Sequence, residues 1–189
     1  MKKSYLGHLL VANPRNPRDD LAKSVLIVVT YSNSISIALQ INAPHEDLTL
    51  SRVSQNIGID HSGDQPVYFG GQVNQHKIHV LHTLDWYSAS TTKLNDEIGL
   101  TNDVGVLMAI SRNQGPKQFK ACSGYYLWED GMLDRQIDPR SQIPGGPAGN
   151  HRWGTLEATV DNVFLTDAHD LWSQCIDKFL RDRISQYMA

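Results

Sequence analysis

The chain has 189 residues, 40% of them hydrophobic and 20% charged, with 17 Lys and Arg against 20 Asp and Glu for a formal charge of −3. That balance argues against a dedicated nucleic-acid binder, whose domain carries a basic excess, and the length suffices for one large domain that folds without a disulfide or a metal. The longest apolar run, Val25 to Val29, is far too short to cross a bilayer, and Met1 to His8 lacks the apolar core of a signal peptide.

Tyr5 to Ala12 reads as a first strand, stopped by Asn13-Pro14, and a polar loop follows to Asp20. Ser24 to Tyr31 is a strongly β-branched strand. After the turn Ser32-Asn33-Ser34, the residues Ile35, Ile37, Leu39 and Ile41 alternate with smaller or polar ones, so 24–42 reads as a β-hairpin. A helix is predicted from Leu48 to Ile57, ended by Gly58, and short strands from Val67 to Gly71 and Lys77 to Leu84. Thr101 is placed as the cap of a helix running to Gln114 and closed by Gly115-Pro116. Phe119 to Leu127 reads as a strand with Gly124 inside it, and Val160 to Leu165 as another. Between them, 138–154 gathers Pro139, Pro144, Gly145, Gly146, Pro147, Gly149 and Gly154 and is expected to be a flexible insertion. The last element is a helix capped by Thr166 or Asp167, with Ala168, Leu171, Trp172, Cys175, Ile176, Phe179 and Leu180 as its apolar stripe.

Few residues suggest chemistry. His76, His79 and His82 lie close together, but on a strand His79 and His82 point to opposite faces, so they do not converge on a metal; His79 is expected in solvent and His82 buried. Gly145 to Gly149 lacks the following lysine and helix of a phosphate loop. Cys122 precedes Ser123-Gly124 without a nucleophile elbow, and Asp19-Asp20 and Glu129-Asp130 are adjacent pairs whose side chains diverge. Cys122 and Cys175, with no Cys-x-x-Cys, read as two reduced, buried thiols of a cytosolic protein, a single disulfide being the alternative.

Two glycine-and-aromatic blocks stand out: Pro66-Val67-Tyr68-Phe69-Gly70-Gly71-Gln72-Val73, followed by Val80-Leu81-His82, and Gly124-Tyr125-Tyr126-Leu127-Trp128 running on to Ile137. Glycine beside bulky aromatics marks close backbone approach or φ > 0. With Gly7 to Pro14, Ser24-Val25, Asn42 and the Phe164 to Trp172 spacing, these blocks give the chain, along nearly its whole length, a resemblance to the AlgH/YqgE family of small bacterial proteins, described as uncharacterised or as transcriptional regulators. The chain departs from the family pattern at Thr30-Tyr31, where Glu-His is usual, at Ile35 to Leu39, which lack glycine, at Gln72, which replaces a proline, at Met132 to Gln136, and at a displaced Trp153.

The resemblance implies a single compact α+β domain over 1–189, with a small closed β-barrel or strongly bent sheet flanked by helices, and no catalytic residues to carry over. The expected function is that of a cytoplasmic, non-enzymatic regulatory protein binding a small molecule or a protein partner. Its candidate surface comprises Gly70, Gly71, Gln72 and His82, with Tyr125 and Trp128 near them. One rival is a hydrolase for a small polar or phosphorylated substrate, using His82 and an acidic residue; the second is a transcriptional regulator. No cofactor, no metal and no membrane contact are expected. Specific DNA binding is not expected either, because the basic residues are scattered and Asp182 interrupts Arg181 and Arg183.

Overall fold

The structure, a computed structural model, describes residues 3–14, 20–60, 63–138 and 152–188. The fold is α+β: a strongly curled, largely antiparallel sheet forming a half-barrel, with helices packed around it. In chain order the strands are β1 (His8–Ala12), β2 (Val25–Tyr31), β3 (Ile35–Gln40), β4 (Pro44–Thr49), β5 (Pro66–Phe69), β6 (Val73–Thr83), β7 (Thr92–Lys93), β8 (Ile98–Thr101), β9 (Phe119–Glu129) and β10 (Trp153–Glu157). The helices are α1 (Leu50–Asn56), α2 (Val104–Ser111), α3 (Met132–Ile137) and α4 (Ala168–Met188). The main path runs β10-β1-β2-β3-β9-β6-β8-β7, open at both ends, so of the two expected forms it is the bent sheet rather than the closed barrel.

The β-branched run in β2 is buried from Val25 to Val29, with Leu26 and Val28 facing one core cluster and Val25, Ile27 and Val29 the other. This alternation on a strand buried on both faces explains why its sequence is almost continuously apolar. α4 lays Leu171, Cys175 and Ile176 against the larger cluster, as its stripe predicts. Its Asp167 caps the helix by accepting from His169 N at 2.8 Å. Both cysteines are free and buried, which settles the thiol reading over the disulfide.

Several expectations are corrected. Val160 to Leu165 contains no strand; Asp161–Leu165 form a single π-helical turn, Asn162 bridging to Thr159 N and Glu157 O. Thr101 does not cap a helix but ends β8, and Asp103 caps the shorter α2 through Gly105 N at 2.7 Å. Residues 44–49 form a strand ahead of α1, and β10 begins at Trp153, inside the segment expected to be a loop. Trp153 is only 1% exposed, and both it and Trp128 donate their indole N–H to Gln136 Oε1, at 2.9 and 3.1 Å. The flexible insertion expected at 138–154 falls largely on 139–151, outside the described residues.

The glycine blocks have one topological cause. β9 pairs with β5 along one edge at Ala121–Ser123, and with β6 along the opposite edge from Phe119 to Tyr125. The chain therefore passes from one edge of β9 to the other between Phe69 and Val73, and it crosses at Gly124. A Cβ on Gly71 would sit 2.1 Å from the Tyr125 carbonyl carbon, one on Gly70 2.4 Å from Gly124 O, and one on Gly124 2.4 Å from Gly71 O. Gly124 also holds φ +70°, a left-handed conformation that only glycine takes without strain. Backbone meets backbone here, and no side chain fits between.

Candidate functional site

The six residues singled out in the sequence sit in different surroundings. Gly70 and Gly71 are buried in the crossover, where Gly70 donates to Ser123 O and accepts from Gln40 N. Gln72 is exposed beside it. Tyr125 packs on the larger core cluster and its hydroxyl accepts from Asn74 Nδ2 at 2.9 Å, whereas Trp128 belongs to the second cluster against Trp153.

His82 is fully buried and has both ring nitrogens engaged. Nδ1 meets Thr83 O at 3.0 Å, Nε2 meets Thr101 Oγ1 at 2.9 Å, and Trp86 packs edge-on at 5.3 Å. Thr101 passes the chain of hydroxyls to Thr91 at 2.9 Å and on to Ser88 Oγ at 3.3 Å, and the Ser88 N–H also donates to Thr91 Oγ1. This network pins the 86–101 excursion to β6.

His79, expected in solvent, is 9% exposed. Its Nδ1 bonds Asn102 Oδ1 at 2.8 Å, its ring stands edge-on to Tyr125, and its Nε2 is buried without a partner among the described residues. Because Asn102 Oδ1 accepts, Nδ1 carries the proton and Nε2 is a bare acceptor. Among the described residues no three His, Cys, Asp or Glu side chains converge as metal ligands would.

Burial depresses both histidines from their ordinary 6.5. The unfolded chain then takes up protons below pH 6.5 that the native protein refuses, so stability is fully present above 6.5 and is lost as pH falls from there toward the native values. We expect the urea midpoint to drop between pH 6.5 and 5, and the drop to shrink in His79→Gln. A midpoint that stays level from pH 7 to pH 5 would refute this.

Cavities lie at two places among the described residues. One, of about 310 Å³, lies between α1, β6 and the start of α2; Val53, Ile57, Ile78, Val104 and Leu107 line it, and His79 reaches it with its free nitrogen covered. The other, of about 440 Å³, opens where β5 and β9 meet the start of α4, among Tyr68, Lys120, Phe164, Thr166, Asp167 and His169. Lys120 is the unusual member. It sits on β9 between strands on both sides and is 5% exposed. Its Nζ donates to Ile41 O at 3.0 Å and lies 4.3 Å from the centre of the Tyr68 ring. Among the described residues no carboxylate comes within ion-pair distance of it. Burial lowers its pKa from 10.5 to about 8, with Cys122 and Asp167 opposing more weakly. An amine held in that range changes charge near neutral pH, as functional lysines do. Asp167, on the same rim, spends one carboxylate oxygen on the first turn of α4.

Sequence reasoning missed Lys120, since a lone lysine on a strand reads as solvent-facing. The available signal is that on a period of two it shares a face with Cys122 and Gly124, small residues that leave room for a long side chain to fold inward.

A half-barrel sheet of this order, crossed at glycines and clasped by a long C-terminal helix, defines a distinct class of small α+β protein. A family model described as DUF179, AlgH-like, matches residues 9–182, and the chain belongs to that family. It is 32% identical over 148 residues to UPF0301 protein MCA2336 2 of Methylococcus capsulatus, covering 76% of this chain and 78% of that one. It is 25% identical over 180 residues to UPF0301 protein VP2612 of Vibrio parahaemolyticus, covering 91% and 90%. The solution structure of AlgH from Pseudomonas aeruginosa superposes with a TM-score of 0.73 at 24% identity, over 93% of this chain and 90% of that one. The crystal structure of DIP2367 from Corynebacterium diphtheriae gives 0.72 at 18%, over 94% and 88%. At those identities the two structures establish the fold alone.

Proposed function

We propose that the chain is a small-ligand-binding protein whose ligand presents a carboxylate or carbonyl oxygen to Lys120 in the cavity beside α4. One observation carries this reading: a buried ammonium, without a carboxylate partner among the described residues, lines an open cavity of about 440 Å³. A buried charge left in that state is costly, and an anionic oxygen would repay the desolvation. The α1–α2 groove is the weaker alternative, because its one unpartnered polar atom is covered. The hydrolase reading gains no support from His82, which is sealed from substrate with both nitrogens occupied. The two free, buried thiols favour a reducing compartment, in keeping with a cytoplasmic protein.

Binding of an anion to the ammonium couples to protonation. Affinity for oxalate should be level below pH 8 and fall tenfold per unit above it, as the amine loses its charge. Thermal shift with oxalate against chloride at equal ionic strength reads this directly. Stabilisation of the wild type that persists undiminished in Lys120→Met would contradict the assignment.

A further inference from the structure

We propose that Lys120 condenses reversibly with small aldehydes and 2-oxo acids, holding them as an imine in the cavity between β5, β9 and the start of α4. The proposal rests on the ligand-binding reading above and names the chemistry of that site.

Imine formation makes four demands, and the surroundings of Lys120 answer each. The amine must be uncharged for part of the time, and burial holds it at about 8, so the neutral form is present near neutral pH. It must be held in place, and the Ile41 carbonyl and the Tyr68 ring fix Nζ from two sides. A carbonyl compound needs space beside it, which the cavity of about 440 Å³ supplies. Finally, the hydroxyl of the intermediate must leave as water, and Asp167 and His169 line the same cavity as groups that can carry its proton. The competing nucleophile nearby is disarmed: complete burial pushes the Cys122 thiol up to about 12.

The step balances without a co-reactant. The nitrogen lone pair adds to the carbonyl carbon, and one N–H proton passes to the carbonyl oxygen to give a carbinolamine. The C–O bond then breaks as the second N–H proton is lost, and both hydrogens leave with the oxygen as one water molecule. The product is Lys120 joined to the ligand through C=N, and hydrolysis reverses every step.

The test is reductive trapping. The full chain is incubated with glyoxylate and cyanoborohydride at pH 8, and the modified lysines are mapped by peptide mass spectrometry over time. Lys120 should be labelled at least tenfold faster than the exposed Lys117 and Lys93, and oxalate should slow Lys120 alone. Lys120→Met removes the amine, so it should lose both the fast label and the stabilisation by oxalate, while Lys117 and Lys93 are labelled at the wild-type rate. Labelling of Lys120 no faster than of Lys117, with oxalate stabilisation intact, overturns the imine and leaves the binding site standing. Absence of both overturns the imine and the binding reading together.

Discussion

Gly71→Ala should destabilise the protein by roughly 3 kcal/mol or more, at the upper end of what overpacking costs. The added Cβ would sit 2.1 Å from a backbone carbon of Tyr125 and 2.5 Å from Tyr126 N. No side-chain rotation relieves such a contact. Tyr125 and its neighbours are fixed by β3 and β5 on one edge of β9 and by β6 on the other, so the strand cannot retreat without breaking ladder hydrogen bonds. Gly58→Ala is the matched control. Gly58 also has a left-handed φ, +77°, but nothing lies within 4 Å of its Cβ position, so only the conformational cost of about 1 kcal/mol remains. Urea denaturation of both variants separates the two effects. Equal losses would mean that the crossover yields to an added methyl group.

Lys120→Met should make the protein more stable at pH 7, the reverse of most core substitutions. A fall in pKa from 10.5 to about 8 means that folding pays to keep the ammonium charged, by roughly 3 kcal/mol at about 1.4 per unit. Methionine has a similar length and no charge to desolvate. Against that gain stands the loss of the bond to Ile41 O, about 1 kcal/mol, which leaves a net gain of about 2 kcal/mol. The sign depends on pH. Between 8 and 10.5 the unfolded state binds a proton that the native state has released, so the wild type gains stability with rising pH and the advantage of the variant shrinks. Denaturant midpoints at pH 7 and pH 10 test both halves. A variant less stable than wild type at pH 7 would show that Lys120 is an ordinary structural side chain. A residue that weakens its own fold is where selection for function is expected to show.

What the sequence made legible follows from how local the cause is. The β2 run, the α4 stripe and the Asp167 cap depend on near neighbours, and each can be read from spacing alone. The glycine pair announced a close approach, but its partner, Gly124, lies 53 positions downstream, and only pairing on both edges of β9 reveals the crossover. β4 is largely polar and has no buried residue, so it carries no alternation to detect. Asn162-Val163-Phe164-Leu165 has strand-like residues, yet the Thr159 and Asn162 side chains bond the local backbone and turn the chain into a helical coil. Trp153 was hidden among prolines and glycines although its indole bonds Gln136. The candidate site was not legible for the same reason: Lys120, Tyr68 and Asp167 come from three separated segments, and burial of the lysine is set by strands on either side of it.

The most direct test of the ligand site is the titration of Lys120 itself, followed by heteronuclear NMR of its side-chain amine with and without oxalate. The account predicts that Lys120 titrates near 8 in the free protein and shifts upward when oxalate binds. A Lys120 that titrates near the 10.4 of a free lysine, unmoved by oxalate, would contradict it.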